Sequence, residues 1–147
     1  MFNVDFPDDF LSEVTDFQFE VIAEEALGNA APVLEKSMKS AAKAAVQHEG
    51  ESEMVNSIKA GKPIKTKTDA YIVNVGPKGY SKNYYQKGKK KKKKYPVSNA
   101  LKAIWMEYGI QSTKHHQVPR PFLEKATKDA QEGILEKMQE TYDRLIK

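Results

Sequence analysis

The sequence predicts a single α+β domain over residues 1–147, with helices at both ends and a small antiparallel sheet between them. Apolar residues recur every three or four positions from Phe10 to Val46, and again after Pro121, which is the spacing of helices with one buried face. Between these regions, the β-branched and aromatic run at 71–75 stops at Gly76-Pro77, as a strand does before a turn. These three patterns together predict the α+β class.

The first predicted element is a long N-terminal helix. Pro7-Asp8-Asp9 is typical of a helix entry, and the apolar stripe then begins with spacings of four, three and four. Its first members are Phe10, Val14, Phe17 and Val21. Because Gly28 and Pro32 interrupt the stripe, the sequence allows either one long helix kinked near Pro32 or two helices that meet near Asn29.

The middle of the chain predicts strands and then a loop. Residues 55–76 favour a β-hairpin or small antiparallel sheet, entered through Met54–Ile58, which is compatible with a helical turn leading into a strand. Residues 79–96 are rich in tyrosine and lysine and show no apolar period. We therefore expect a flexible lysine-rich loop over about 79–96.

Two more helices follow. Ser98-Asn99 can cap a short helix over 100–108 that ends at Gly109, and Pro119-Arg120-Pro121 should give an extended entry into a final helix from Pro121 to about Leu145. The apolar face of that last helix comprises Phe122, Ala126, Ala130, Ile134, Met138 and Leu145, with Leu123 and Leu135 beside it. Trp105 and Tyr108 share one face of the short helix, so we expect both to pack in the core under Phe122.

Composition restricts the kind of protein. The absence of cysteine excludes disulfides and thiol catalysis. No apolar stretch approaches the roughly 20 residues that cross a membrane, and acidic residues stand where a signal peptide has a basic start. We expect an intracellular product with no membrane partner.

The net charge of +4 comes from one segment, a run of six lysines together with Lys87. The run comprises Lys89, Lys90, Lys91, Lys92, Lys93 and Lys94. Six adjacent ammonium groups must be solvated or paired with anions, so the run is either a solvated surface loop or a non-specific contact with DNA phosphates. Arginine occurs only at Arg120 and Arg144. The chain therefore has few of the side chains best suited to bidentate phosphate contacts.

Catalytic, metal and cofactor sites are not predicted. His115 and His116 are adjacent, so in an extended loop they point to opposite sides and cannot easily chelate one ion. Glu107 has no nucleophile or oxyanion motif near it in the sequence, which makes a small enzyme using Glu107 and the histidines the weakest hypothesis. Residues 110–118 are polar and include both histidines, and we expect them to form a subunit contact.

The segments around the short helix resemble a known family. Glu107-Tyr108-Gly109, followed by Pro119-Arg120-Pro121-Phe122-Leu123 and Ala126, is similar to a signature of the tail-completion or head–tail joining proteins of siphophages and related prophages, which include minor tail components. Gly50 and Met54–Ile58 partly match a second element of that family, and the likeness extends over about residues 10–146.

This resemblance implies a structural virion protein of the phage neck or tail, made in the host cytoplasm and without enzymatic activity. Its partners would be head-closure, tail-terminator or tail-tube proteins, and it would form a homo-oligomeric ring. The resemblance makes Glu107, Gly109, Pro119, Pro121 and Phe122 its structural motif. The alternative from the residues themselves is a basic nucleic-acid-binding protein that acts through the lysine-rich loop.

Overall fold

The α+β class is confirmed by a computed structural model, which describes residues 16–48, 50–87, 93–112 and 116–146. The helices are α1 (Asp16–Ala45), α2 (Glu51–Asn56), α3 (Asn99–Tyr108) and α4 (Leu123–Ile146). The strands are β1 (Ile58–Ala60), β2 (Ile64–Lys65), β3 (Tyr71–Ile72), β4 (Val75–Pro77), β5 (Tyr80–Lys87), β6 (Lys93–Ser98), β7 (Ile110–Gln111) and β8 (His116–Gln117). The predicted helix entry at Pro7-Asp8-Asp9, with Phe10 and Val14, lies outside the described residues.

The two long helices, α1 and α4, form an antiparallel pair. Small side chains line the contact, so the two backbones can approach closely, and a Cβ added at Gly133 would lie 3.1 Å from Val33 Cγ1. The buried residues of this contact are Ala26, Ala30, Ala130, Ile134 and Met138. Hydrogen bonds link the described parts of the helices along their length, from Asn29 Nδ2 to Thr141 Oγ1 and from Ser37 Oγ to the Ala126 carbonyl, and the Arg144 guanidinium pairs with the Glu25 carboxylate.

Residues 16–45 form one helix rather than two. Helix α1 continues through Pro32, so the alternative of two helices meeting near Asn29 is wrong. Both Pro32 and Gly28 are exposed, which places the interruption on the solvent side, away from α4. A missing backbone hydrogen bond is tolerated there because water can satisfy the freed carbonyl.

All strand pairs among the described residues are antiparallel and two-stranded: β1 with β4, β2 with β3, β5 with β6, and β7 with β8. The first two pairs confirm the small sheet predicted over residues 55–76. The loop predicted over residues 79–96 is wrong for most of that range, because β5 and β6 form a hairpin there. Because backbone hydrogen bonds between the two strands hold these residues in place, strands form here without an apolar period in the sequence.

The main core lies where α1, α2, α3 and α4 meet. Its largest fully buried side chains are Phe122, Met54, Ile58 and Met106. Tyr108 is 70% exposed and Trp105 is half-buried, so the expectation that both pack in the core is wrong. Helix α3 is rotated so that Met106, together with Ala103, faces Phe122 instead.

The ends of α3 match the sequence prediction. The Ser98 hydroxyl accepts a hydrogen bond from Leu101 N, as an N-cap residue does, and Gly109 N donates to the Trp105 carbonyl at the other end. Gly109 has φ +73°, a conformation that glycine adopts without a Cβ penalty. The final helix likewise matches, with Leu145 partly buried and Leu135 exposed at the margin of its buried face. Within the described residues, none of the helices has the length and apolar character needed to span a bilayer.

Candidate functional site

A buried ion pair holds together the place where α1 ends, α2 begins and the chain turns into α4. The Arg120 guanidinium donates from Nη2 to Glu51 Oε1 at 2.5 Å and from Nη1 to Glu51 Oε2 at 2.9 Å. Its Nη1 also donates to the Ala45 carbonyl at 2.6 Å, and its backbone N–H donates to the Met106 carbonyl at 2.6 Å. One residue therefore contacts the last residue of α1, the first residue of α2 and the last turn of α3. We call the region formed by Glu51, Arg120, Glu107 and Gly109 the polar joint.

The carboxylate of Glu51 is fully engaged on its other sides. Its Oε2 accepts hydrogen bonds from the backbone N–H groups of Gln47 and His48, at 2.9 and 3.2 Å, and its Oε1 accepts one from Gln117 Nε2 at 3.3 Å. Burial by itself raises the pKa of Glu51. The hydrogen bonds from Arg120, Gln47 and His48 and the charge of Arg120 outweigh burial and lower that pKa to about 2. The same pair raises the pKa of Arg120 above its ordinary value.

This lowered pKa predicts a loss of stability in acid. Because the folded protein holds Glu51 ionised far more strongly than the unfolded chain does, its contribution is complete above about pH 4.5 and is lost as the pH falls toward 2. The difference corresponds to about 3 kcal/mol in the free energy of unfolding. Urea denaturation between pH 6 and pH 2 measures it, and a Glu51→Gln variant should show a flatter pH profile in this window. An identical profile in the two proteins would contradict the assignment.

Glu107 caps α4 from another helix. Its Oε2 accepts hydrogen bonds from the backbone N–H groups of Phe122 and Leu123, at 2.8 and 2.9 Å, and its Oε1 lies 3.5 Å from Glu124 N. These donors have no partner within the helix, and a carboxylate there also interacts favourably with the helix dipole. Glu107 is buried. Its contacts give this carboxylate a structural role, holding the end of α3 against the start of α4.

At Gly109 the returning chain lies directly against the end of α3. A Cβ at this position would lie 2.4 Å from the Gln117 carbonyl oxygen and 2.9 Å from Pro119 N. No side chain fits at that separation, so β8 and the proline segment can lie directly against the end of α3 only because residue 109 is glycine. The end of α3 and the proline segment before α4, which the sequence predicted separately, are therefore in direct backbone contact.

Helix α3 has the reverse of ordinary surface polarity. Both of its charged side chains are buried: Glu107 in the polar joint, and Lys102, whose Nζ donates to the Gly50 carbonyl at 2.9 Å. The opposite side carries only apolar residues, of which Ala100, Ile104 and Tyr108 are exposed and Leu101 and Trp105 are half-buried. We call these five residues the outer face of α3. An exposed apolar face on a helix that buries its charges is typical of an interaction surface.

The residues predicted to form an interface or DNA-facing loop are only partly described. Five of them lie outside the described residues: Lys89, Lys90, Lys91, Lys92 and His115. Lys93 and Lys94 belong to β6, which corrects their assignment to a loop, because they pair with Lys87 and Gln86 across the hairpin. His116 is exposed in β8, opposite Gln111. Among the residues that the structure describes, no group of three or more His, Cys, Asp or Glu side chains is placed to hold a metal ion.

Sequence reasoning missed the Glu51–Arg120 pair. The two residues are 69 positions apart, and neither belongs to a pattern that links them. One usable signal was the position of Arg120 between Pro119 and Pro121, since an arginine held in a rigid extended segment is suited to a fixed bidentate contact. A second signal was the scarcity of arginine in a chain that otherwise uses lysine.

Comparison with known proteins agrees with the resemblance of the sequence to phage tail proteins. Residues 8–109 match the family HK97-gp10_like, described as "Bacteriophage HK97-gp10, putative tail-component". The match covers α1, α2, β1 to β6 and α3 and ends at Gly109. Strands β7 and β8, the segment around Arg120 and α4 lie beyond it. Comparison of the sequence with curated proteins and with solved structures found no match. With more than half of its length matched, the chain belongs to the HK97-gp10-like family of bacteriophage tail components.

Proposed function

We propose that the protein is a non-enzymatic ring subunit of the phage neck or tail that takes part in head–tail joining or tail completion. Its membership of a family of phage tail components carries this proposal. A tail component belongs to the virion and contacts other virion proteins, and the proposal adds the ring and the position at the junction. Head-closure, tail-terminator and tail-tube proteins are the partners expected at that position.

The surface of the subunit supports assembly by unlike faces. A ring needs two different surfaces on each subunit, because each copy meets one neighbour with one surface and the next neighbour with the other. Exposed large apolar side chains occur on the outer face of α3, at Ile104 and Tyr108, in the loop at Val118, and also at the other end of the helix pair, at Val21 and Ile146. Separate apolar regions of this kind suit a heterologous contact.

The polar joint suits a part that must hold its shape within an assembly. Helices α1, α3 and α4 are fixed to one another there by the Glu51–Arg120 pair and by Glu107. Rigid placement of α3 keeps its outer face in one orientation, so each subunit presents the same surface to its neighbour. The lysine run Lys89–Lys94 and the segment holding His115 and His116 are, in this proposal, further contacts, the lysines meeting an acidic neighbouring ring or DNA.

Genetic removal of the protein tests its place in assembly. In a phage or prophage that encodes it, a nonsense mutation should give DNA-filled heads and separate tails under the electron microscope, and supplying the protein from a plasmid should restore joined particles. Joined, infectious particles without the protein would overturn the proposal. A plasmid copy with Lys89–Lys94 replaced by serine tests the contact made by the lysine run. An unchanged yield of joined particles would contradict that contact.

A further inference from the structure

We propose that the outer face of α3 binds residues 1–15 of a second copy of this chain. The inference rests on the proposed ring, because it names the contact through which one subunit holds the next. Ile104 and Tyr108 are 49% and 70% exposed, so no described element of the same subunit covers this face. The loop residue Val118 is 66% exposed and follows Gln117, whose carbonyl lies against Gly109. It adds to the apolar surface at this end of the protein.

The chemistry of residues 1–15 fits that surface. The segment contains three phenylalanines, at positions 2, 6 and 10, together with Leu11 and Val14. Aromatic side chains bury a large area each and are common anchors in interfaces. The outer face of α3 offers an aliphatic and aromatic surface of the same character, with the rings of Trp105 and Tyr108 on it.

Charge also favours this pairing. Residues 1–35 contain nine acidic residues and no lysine or arginine, and four of the nine, Asp5, Asp8, Asp9 and Glu13, lie within residues 1–15. Residues 54–108, which comprise α3 and the strands before it, contain fourteen lysines and two acidic residues, Asp69 and the buried Glu107. Lys78 is exposed beside the start of α3, since its carbonyl accepts a hydrogen bond from Asn99 Nδ2. An acidic, phenylalanine-rich segment is complementary to such a surface in both apolar character and charge.

The distance along α1 favours binding of residues 1–15 to α3 of a neighbouring subunit rather than to α3 of the same chain. Met38 of α1 lies in the same buried cluster as Ala103 and Met106 of α3, and Asp16 lies 22 residues earlier, so the start of α1 is about 33 Å from this level at the ordinary helical rise. A segment of 15 residues spans at most about 50 Å when fully extended, so it would use most of its length merely to return along α1. In a ring, the start of a neighbour's α1 can lie beside this face, and the whole segment is then available for contact.

Cross-linking in assembled particles tests the pairing, because the natural chain has no cysteine. One set of copies carries a single cysteine at Phe2, Phe6 or Phe10, and a second set, with a larger tag, carries Tyr108→Cys. Both are supplied together to the phage that lacks the protein, and the particles are treated with a short bismaleimide. We expect a product containing one copy of each kind at one or more of the three positions. The matched control is Leu135→Cys on α4, whose residue is 48% exposed and apolar but lies away from α3.

The outcomes separate the contact from the ring. A yield of the mixed product several-fold higher with Tyr108→Cys than with Leu135→Cys supports the inference. Equal yields, or none with any of the three positions while the protein is present in particles, overturn it and leave the proposed function standing. Particles that join normally and do not contain the protein overturn both. Unchanged thermal unfolding of each single-cysteine protein, measured by circular dichroism, shows that the variants compared are folded.

Discussion

An Arg120→Met variant is expected to lose about 3–5 kcal/mol in the free energy of unfolding, the effect of removing one member of a buried ion pair. The arginine and glutamate side chains of the pair are only 9% and 10% exposed, so methionine would leave the Glu51 carboxylate buried without its counter-charge. The Ala45 carbonyl would lose its hydrogen-bond partner as well. Because small domains have about 5–15 kcal/mol in total, the variant should be close to unfolding at 37 °C. Urea denaturation followed by circular dichroism measures the change.

The chain provides a matched control on its own surface. Lys128 and Glu124 form an ion pair at 2.9 Å in α4, and their side chains are 73% and 67% exposed. A Lys128→Met variant should change stability by no more than about 1 kcal/mol, because exposed pairs are screened by water and salt. A similar loss in both variants would show that burial does not give the Glu51–Arg120 pair its importance.

A Gly109→Ala variant is expected to be destabilised by about 2–6 kcal/mol, or to fail to fold. Two contributions add at this position. With φ +73° and ψ −178°, residue 109 lies in a backbone region that is essentially restricted to glycine, and an alanine there is strained by about 1–3 kcal/mol. Its Cβ would also overlap the Gln117 carbonyl oxygen, and relieving such overpacking usually involves backbone shifts that cost a further 1–3 kcal/mol or so. Thermal unfolding of the purified variant checks the prediction.

Two other glycines separate these contributions. Gly79 has φ +72° but an added Cβ would meet no atom within 4 Å, so Gly79→Ala should show the backbone strain alone. Gly76 has neither a positive φ nor a neighbour within 4 Å, and Gly76→Ala should have little effect. The expected order of destabilisation is therefore Gly109, then Gly79, then Gly76. A loss of stability at Gly109 no larger than at Gly79 would mean that the backbone at Gln117 can move away to accommodate a Cβ at residue 109.

Local patterns in the sequence determined the helices and most of their ends. The spacing of apolar residues predicted α4 within about two residues at its start, and Ser98 and Gly109 marked the ends of α3, because capping and backbone conformation depend on neighbours in sequence. The strands over residues 55–76 were predicted for the same reason. The hairpin of β5 and β6 was missed, since its residues are polar and its order comes from pairing between two segments.

Tertiary structure decided which faces are buried and what the charged residues do. Tyr108 is exposed and Met106 buried because the rotation of α3 is set by Phe122 and α1, which a local pattern cannot register. Glu107 was considered as a general acid or base and is a helix cap, and Arg120 meets Glu51 across 69 residues of sequence. The segment from Glu107 to Phe122 resembles a family signature in the sequence alone, and the family match reaches its first part, up to Gly109. Its physical reason emerges only in three dimensions, where buried charges require partners that the folded chain brings from distant positions.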